Sequence, residues 1–206
     1  MIVTDITELS KSKYKIFIDD EFAFVLYKGE LRRFRIEEDG EISESVYREI
    51  VEEVLPKRAK LRAMNLLKSH TYSEGQLMEK LLQGYYPKDI ARLSVDYVAS
   101  YGYIDDLRMS EEYIRIHLKD KSRMRIKQDL MRKQVDTETI EQAFLNCSDE
   151  GFVQDELAQI KKLLEKRGYD PKETDNIKTV SKHFSFLMRK GYNPDSIRKV
   201  MGDFEM

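Results

Sequence analysis

The chain has 206 residues, 41% apolar and 36% charged, with a formal net charge of −2. That length makes one compact unit or two small ones, and the near-neutral charge excludes a chain that clamps nucleic acid over its whole surface. A single cysteine, Cys147, excludes a disulfide framework and a thiolate zinc site, and the longest uncharged apolar run, residues 22–27, is far short of the ~20 residues that cross a bilayer.

The first 40 residues read as strands. Asp5 and Glu8 stand where a signal peptide would need a basic start and an apolar stretch, which points to the cytoplasm. Residues 13–19 partly alternate, with Tyr14, Ile16 and Ile18 on one face. Residues 22–27 follow after a polar turn, so the two runs form a hairpin to which residues 2–6 can add a third strand. From Ser43 onward the pattern is helical, and Pro56 separates a helix over residues 44–55 from one over residues 57–69. Nine glycines and four prolines are few for this length and favour helices over a sandwich or barrel.

Three segments then superimpose as an internal repeat, beginning at Gln76, Ile126 and Phe184. In each, a helix ends at Gly84, Gln134 or Gly191, and Ile90, Ile140 or Ile197 follows six residues later. The next helix places apolar groups at i, i+3, i+4 and i+7, the spacing of one helical face. The sets are Ile90, Leu93, Ser94, Tyr97; Ile140, Ala143, Phe144, Cys147; and Ile197, Val200, Met201, Phe204, with only Ser94 breaking the stripe. Gly84 and Gly191 suit the left-handed residue that closes a helix, Asp136 and Asn193 suit N-caps, and Pro87 and Pro194 suit a first turn. Ser73 with Gln76, and Asp170 with Pro171 and Glu173, mark two more helix starts. A third helix precedes each pair, over residues 57–69, 107–119 and 150–167. The expected fold is mostly α: three tandem three-helix repeats in an elongated, curved array, with a small N-terminal hairpin or three-stranded extension. The boundaries are 1–56 for the extension and linking helix, then 57–104, 105–148 and 149–206 for the repeats.

These residues resemble a known family. Tyr101-Gly102-Tyr103-Ile104-Asp105-Asp106 is similar to the signature that ends the first repeat of the RecX family of recombinase regulators, and Arg189-Lys190-Gly191-Tyr192 to its third-repeat joint. The N-terminal hairpin resembles the extension of longer, Gram-positive-type members. Gln134 departs from the glycine usual at the second joint, the segment over residues 121–126 lacks a glycine expected there, and the first joint is one residue shorter than the others. The resemblance implies a regulator of the RecA recombinase that binds the RecA filament on single-stranded DNA, suppresses ATP hydrolysis, strand exchange and co-protease activity, and promotes filament disassembly.

No phosphate-loop, dinucleotide or metalloprotease motif occurs, so neither cofactor nor catalytic metal is expected, and an enzyme is the weakest reading. His70, His117 and His183 read as surface or packing residues, Cys147 as a buried structural thiol, and Asp105-Asp106 as a helix start. The sharpest basic excess is Lys119, Lys121, Arg123, Arg125, Lys127, Arg132 and Lys133 against Asp120 and Asp129, which reads either as a solvated face or as a surface for phosphate or an acidic protein. Near Lys88 and Arg92, Tyr85 and Tyr86 read as packing residues or as base-stacking groups beside charge. The candidate contacts for DNA or RecA are these nine cations, with Tyr85 and Tyr86 for stacking. The partners expected are the RecA filament and single-stranded DNA, with no membrane and a monomeric chain. A nucleic-acid module or a protein-only scaffold, each acting without RecA, are the rival readings.

Overall fold

The computed structural model of the protein describes residues 1–170 and 177–202. Strands β1 (Val3–Ser10), β2 (Lys13–Ile18) and β3 (Glu21–Tyr27) form an antiparallel sheet in that order. The β2 alternation buries Ile16 and Ile18 on one face, beside Phe24 and Leu26 of β3. Asp19 and Asp20, both at positive φ, make the tight β2–β3 turn. β1 is longer than expected, because its pairing with β2 runs on to Ser10.

A short helix follows, α1 (Lys28–Phe34), which the sequence pattern did not announce. It offers only Leu31 and Phe34 to the core, too few to establish a helical period. The Glu30 carboxylate accepts the Tyr27 N–H at 2.7 Å to start it, and Arg35, left-handed at φ 54°, ends it.

The break expected at Pro56 is corrected. Residues 44–69 continue without interruption through α2 (Glu44–Arg48), a π-helical stretch (Glu49–Val54) and α3 (Leu55–Ser69), with right-handed helical angles at both junctions. The Leu55 N–H reaches back five residues to the Ile50 carbonyl, so the wider turn delivers Pro56 to the first turn of α3. There the missing proline N–H is least damaging.

The remaining helices are α4 (Glu74–Gln83), α5 (Lys88–Ser100), α6 (Asp106–His117), α7 (Arg123–Arg132), α8 (Thr137–Asp149), α9 (Glu156–Lys166), α10 (Ile177–Arg189) and α11 (Pro194–Met201). They fall into two compact units, residues 1–105 and 106–206. The first unit holds a core between the sheet and α3, and another among α3, α4 and α5. The second holds one core among α6, α7 and α8, and one among α9, α10 and α11. Helix α9 starts six residues later than expected, because Gly151 at φ 88° closes α8 and the Asp155 carboxylate caps α9 through the Ala158 N–H. From Pro171 on, the helix start expected at residues 170–173 lies outside the described residues, as does Phe204.

The three inter-helix joints share one hydrogen-bond pattern. Tyr86, Val135 and Tyr192 donate their N–H groups to the carbonyls of Leu81, Leu130 and Leu187, while Tyr85, Gln134 and Gly191 donate to Leu82, Met131 and Met188. This paired closure needs a left-handed residue at its centre. At the first joint that residue is Tyr85 (φ 63°), not Gly84 (φ −79°); at the others it is Gln134 (φ 62°) and Gly191 (φ 82°). Gln134 therefore replaces the glycine without changing the joint.

Aligning the joints on these residues also corrects the first stripe. Counting from the buried leucines, the partner of Ile140 and Ile197 is Ala91, not Ile90. The set Ala91, Ser94, Val95 and Val98 is buried, while Leu93 is exposed. The apparently shorter first joint was a one-residue slip in register. Ile90 faces the sheet core instead, and Ser94 fits the stripe because its hydroxyl donates to the Ile90 carbonyl at 2.8 Å.

Candidate polyanion-binding cleft

The second unit builds its site where α7 begins beside the end of α10. Ser122 is the N-cap of α7: its hydroxyl accepts the Arg125 N–H and donates to the Lys190 carbonyl at 2.6 Å. The contact requires glycine at position 191, since a Cβ there would stand 2.8 Å from Ser122 Oγ and 3.1 Å from Met124 Cβ. Gln154 and Gln159 hold the preceding turn by donating to the Lys121 and Leu118 carbonyls.

Beside this seam lies a cleft of about 460 Å³, lined by Lys121, Arg125, Arg189 and Lys190 with Phe186, Tyr192, Ser122 and the single acid Asp120. Phe186 carries the Arg167 guanidinium 4.1 Å and the Lys190 ammonium 5.8 Å from its ring centre. Arg189 and Lys190 have no carboxylate partner among the described residues.

The basic run expected from the sequence is only partly free. Lys121 (2.8 Å), Arg125 (3.4 Å) and Arg132 converge on Asp129, whose carboxylate also accepts the Tyr113 hydroxyl. Arg123 (2.7 Å) and Lys127 (2.6 Å) share Glu141. Five cations thus meet two carboxylates, and the face keeps an excess of three positive charges. Burial alone would raise the Asp129 carboxyl, but the Lys121 and Tyr113 hydrogen bonds, with the charges of Lys121 and Arg125, hold it below the usual carboxylate range. Hydrogen bonds from Lys127 and Arg123 lower Glu141 likewise. Lys119 is exposed on the turn before α7, and Lys133 caps the end of that helix.

The other candidates stand apart in the first unit. Arg92 is tied to Glu74 (3.1 Å) and Asp96 (2.9 Å), while Lys88 is exposed at the start of α5. Tyr86 is half-buried against the sheet core, and burial pushes its hydroxyl pKa up, in keeping with the packing alternative. Tyr85 is exposed. Sequence reasoning missed Arg189, Lys190 and Phe186 as cleft residues. The Arg189-Lys190 pair is legible in the sequence as charge, but its motif reads as the third-repeat joint.

The remaining polar residues take structural places. Cys147 is buried, which raises its thiol, and His183 is buried in the third-repeat core. His117 packs on Tyr113 at 4.2 Å, His70 lies near Tyr72, and Asp106 opens α6. Among the described residues no group of metal-ligating side chains forms, and no helix is long and apolar enough to cross a membrane.

Comparison with known proteins places this architecture. Residues 105–143 match the second three-helix domain of RecX, and residues 154–201 match the third. The chain is 30% identical over 200 residues to the regulatory protein RecX of Clostridium tetani, covering 96% of this chain and 90% of that one. It is 29% identical over 208 residues to that of Caldanaerobacter subterraneus, covering 98% of each. A crystal structure of regulatory protein RecX shares the fold at TM-score 0.57 and 20% identity, over 98% of this chain and 99% of that one. The RecX structure from Lactobacillus salivarius does so at 0.56 and 21%, over 72% and 95%. With a full-length relative at this identity and two of its three-helix domains matched in order, the chain belongs to the RecX family of regulatory proteins.

Proposed function

We propose that this protein inhibits the RecA recombinase by binding its filament on single-stranded DNA, suppressing ATP hydrolysis, strand exchange and co-protease activity. It acts as a cytoplasmic monomer, by binding rather than catalysis, and the cleft between α7 and α10 takes a polyanion of the filament, either the DNA backbone or an acidic protein wall. The observation that carries the cleft assignment is its charge balance: Arg189 and Lys190 stand without a carboxylate beside Lys121 and Arg125. The names of the relatives support regulation as the role. Successive three-helix repeats can engage neighbouring protomers together, which multiplies weak contacts.

The test is co-sedimentation with RecA filaments on single-stranded DNA, comparing the wild type with the double variant Arg189→Glu, Lys190→Glu. Both side chains are exposed, so the variant should stay folded and lose most filament binding. Equal co-sedimentation of both proteins would remove the cleft from the contact. Binding to naked single-stranded DNA but never to filaments would favour the rival nucleic-acid module.

A further inference from the structure

We propose that the outer face of the N-terminal sheet, together with Tyr85, is a stacking site for unpaired bases of a single nucleic-acid strand. Lys13, Lys15 and Phe17 alternate along β2 on the face opposite the buried Ile16 and Ile18. Their cross-strand partners on β3 are Tyr27, the buried Val25 and Phe22, so the accessible groups lie on either side of Val25. Phe22 meets Phe17 edge-on at 5.8 Å and Tyr85 at 6.3 Å, although Tyr85 arrives from the α4–α5 joint.

None of Phe17, Phe22, Tyr27 and Tyr85 belongs to the core cluster beneath the sheet, and Phe22, Tyr27 and Tyr85 are 43%, 37% and 37% exposed. Tyr85 reaches this face from a left-handed backbone, the conformation that Gly191 supplies at the third joint. A bulky residue there is strained. The strained position delivers an aromatic group to a surface.

The cations identify the ligand. The Lys15 ammonium sits 4.4 Å from the centre of the Tyr85 ring and Lys13 5.5 Å from that of Tyr27, which also carries the Arg58 guanidinium at 4.9 Å, held by Glu30. A strand offers both complements: its phosphates draw the lysines off the ring faces, and its bases occupy those faces. Duplex bases are already paired and stacked, so the site selects single strands. Asp5, opposite Phe17, is engaged by the Thr7 hydroxyl, and Asp19, Asp20 and Glu21 cluster at the β2–β3 turn. The phosphates therefore lie over the Lys13–Lys15 end, away from that turn.

This site stands independently of RecA and of the α7–α10 cleft. Its test uses the full chain and fluorescent oligo-dT, read by anisotropy at low salt, and by quenching of tyrosine emission, since the chain has no tryptophan. Tyr85→Gly removes the ring while giving the joint its favoured residue, and Phe22→Thr suits an exposed strand position, so the double variant should fold. Base stacking of about 1–3 kcal/mol per base corresponds to at least a fivefold rise in Kd. The expected result is that rise for oligo-dT in the double variant, recovery with Tyr85→Phe alone, and weak binding of an abasic deoxyribose-phosphate strand by the wild type. Wild-type affinity in the double variant would overturn the site, as would equal wild-type affinity for the abasic strand.

Discussion

Replacing Gly191 with alanine tests the seam that forms the cleft. The position has φ 82°, where an L-residue costs about 1–2 kcal/mol. The new Cβ would also stand 2.8 Å from Ser122 Oγ, a distance real Cβ atoms do not hold. Ser122 can yield only by weakening its bond to the Lys190 carbonyl or its cap on the Arg125 N–H, each worth about 1 kcal/mol. The sum is about 2–4 kcal/mol, read as a lower urea midpoint for the second unit. The assay is a double-mutant cycle with Ser122→Ala, which removes the clashing oxygen. Gly191→Ala should then cost about 1–2 kcal/mol less than in the wild-type background. Equal cost in both backgrounds, or a cost under about 0.5 kcal/mol in the wild type, would refute the reasoning.

Gln134→Gly, at the matching left-handed position of the second joint, should stabilise by about 0.5–1 kcal/mol in chemical denaturation, since glycine removes the backbone strain. Asp129 has a native pKa below its unfolded value, so its contribution is full above about pH 4 and is lost as pH falls through the native value. Asp129→Asn should flatten that acid limb and lower neutral-pH stability by about 2 kcal/mol, because Lys121 keeps its charge and its bond to the Tyr113 hydroxyl but loses its carboxylate. His183 is depressed by burial and by the charges of Arg167 and Lys182, so its contribution is full above about pH 6.5 and falls as pH drops below it. His183→Leu should abolish that loss in thermal melts, because Leu77 and Ile126 fill the corresponding buried places. In the cleft, Lys190→Ala should lower the salt dependence of polyanion binding by about one charge, whereas Arg123→Ala, already tied to Glu141, should change it less.

The helical repeat was legible because its apolar spacing is a consequence of helix geometry, and the joints were legible because caps and left-handed positions restrict residue type. Where more than one residue could serve, the sequence misled. Gly84 draws the eye as a helix stop, yet the hydrogen-bond pattern counted from Leu81 puts the left-handed position on Tyr85, and that one-residue slip carried into the next helix. Pro56 read as a break because a π turn leaves no local pattern to see. Helix α1 escaped because about two turns with two apolar anchors make no period.

For the candidate site, the charge was visible and its compensation was not. Asp129 lies within the basic run, but its convergence with Lys121, Arg125 and Arg132 depends on side chains meeting in space. Glu141 reaches Arg123 and Lys127 from a different helix. Arg189 and Lys190 come beside Arg125 where the Ser122 hydroxyl bonds the Lys190 carbonyl, a contact between residues far apart in the chain. Tyr85 meets Lys15 and Phe22 by the same kind of long-range placement.

The most direct measurement is DNA-dependent ATP hydrolysis by the RecA of the same organism, titrated with this protein and, in parallel, with the Arg189→Glu, Lys190→Glu variant. The expected result is inhibition by the wild type at well below one molecule per RecA protomer, and a marked loss of inhibition in the equally folded variant. An unchanged hydrolysis rate with folded wild-type protein would contradict RecA inhibition, and equal inhibition by both proteins would contradict the role of the cleft.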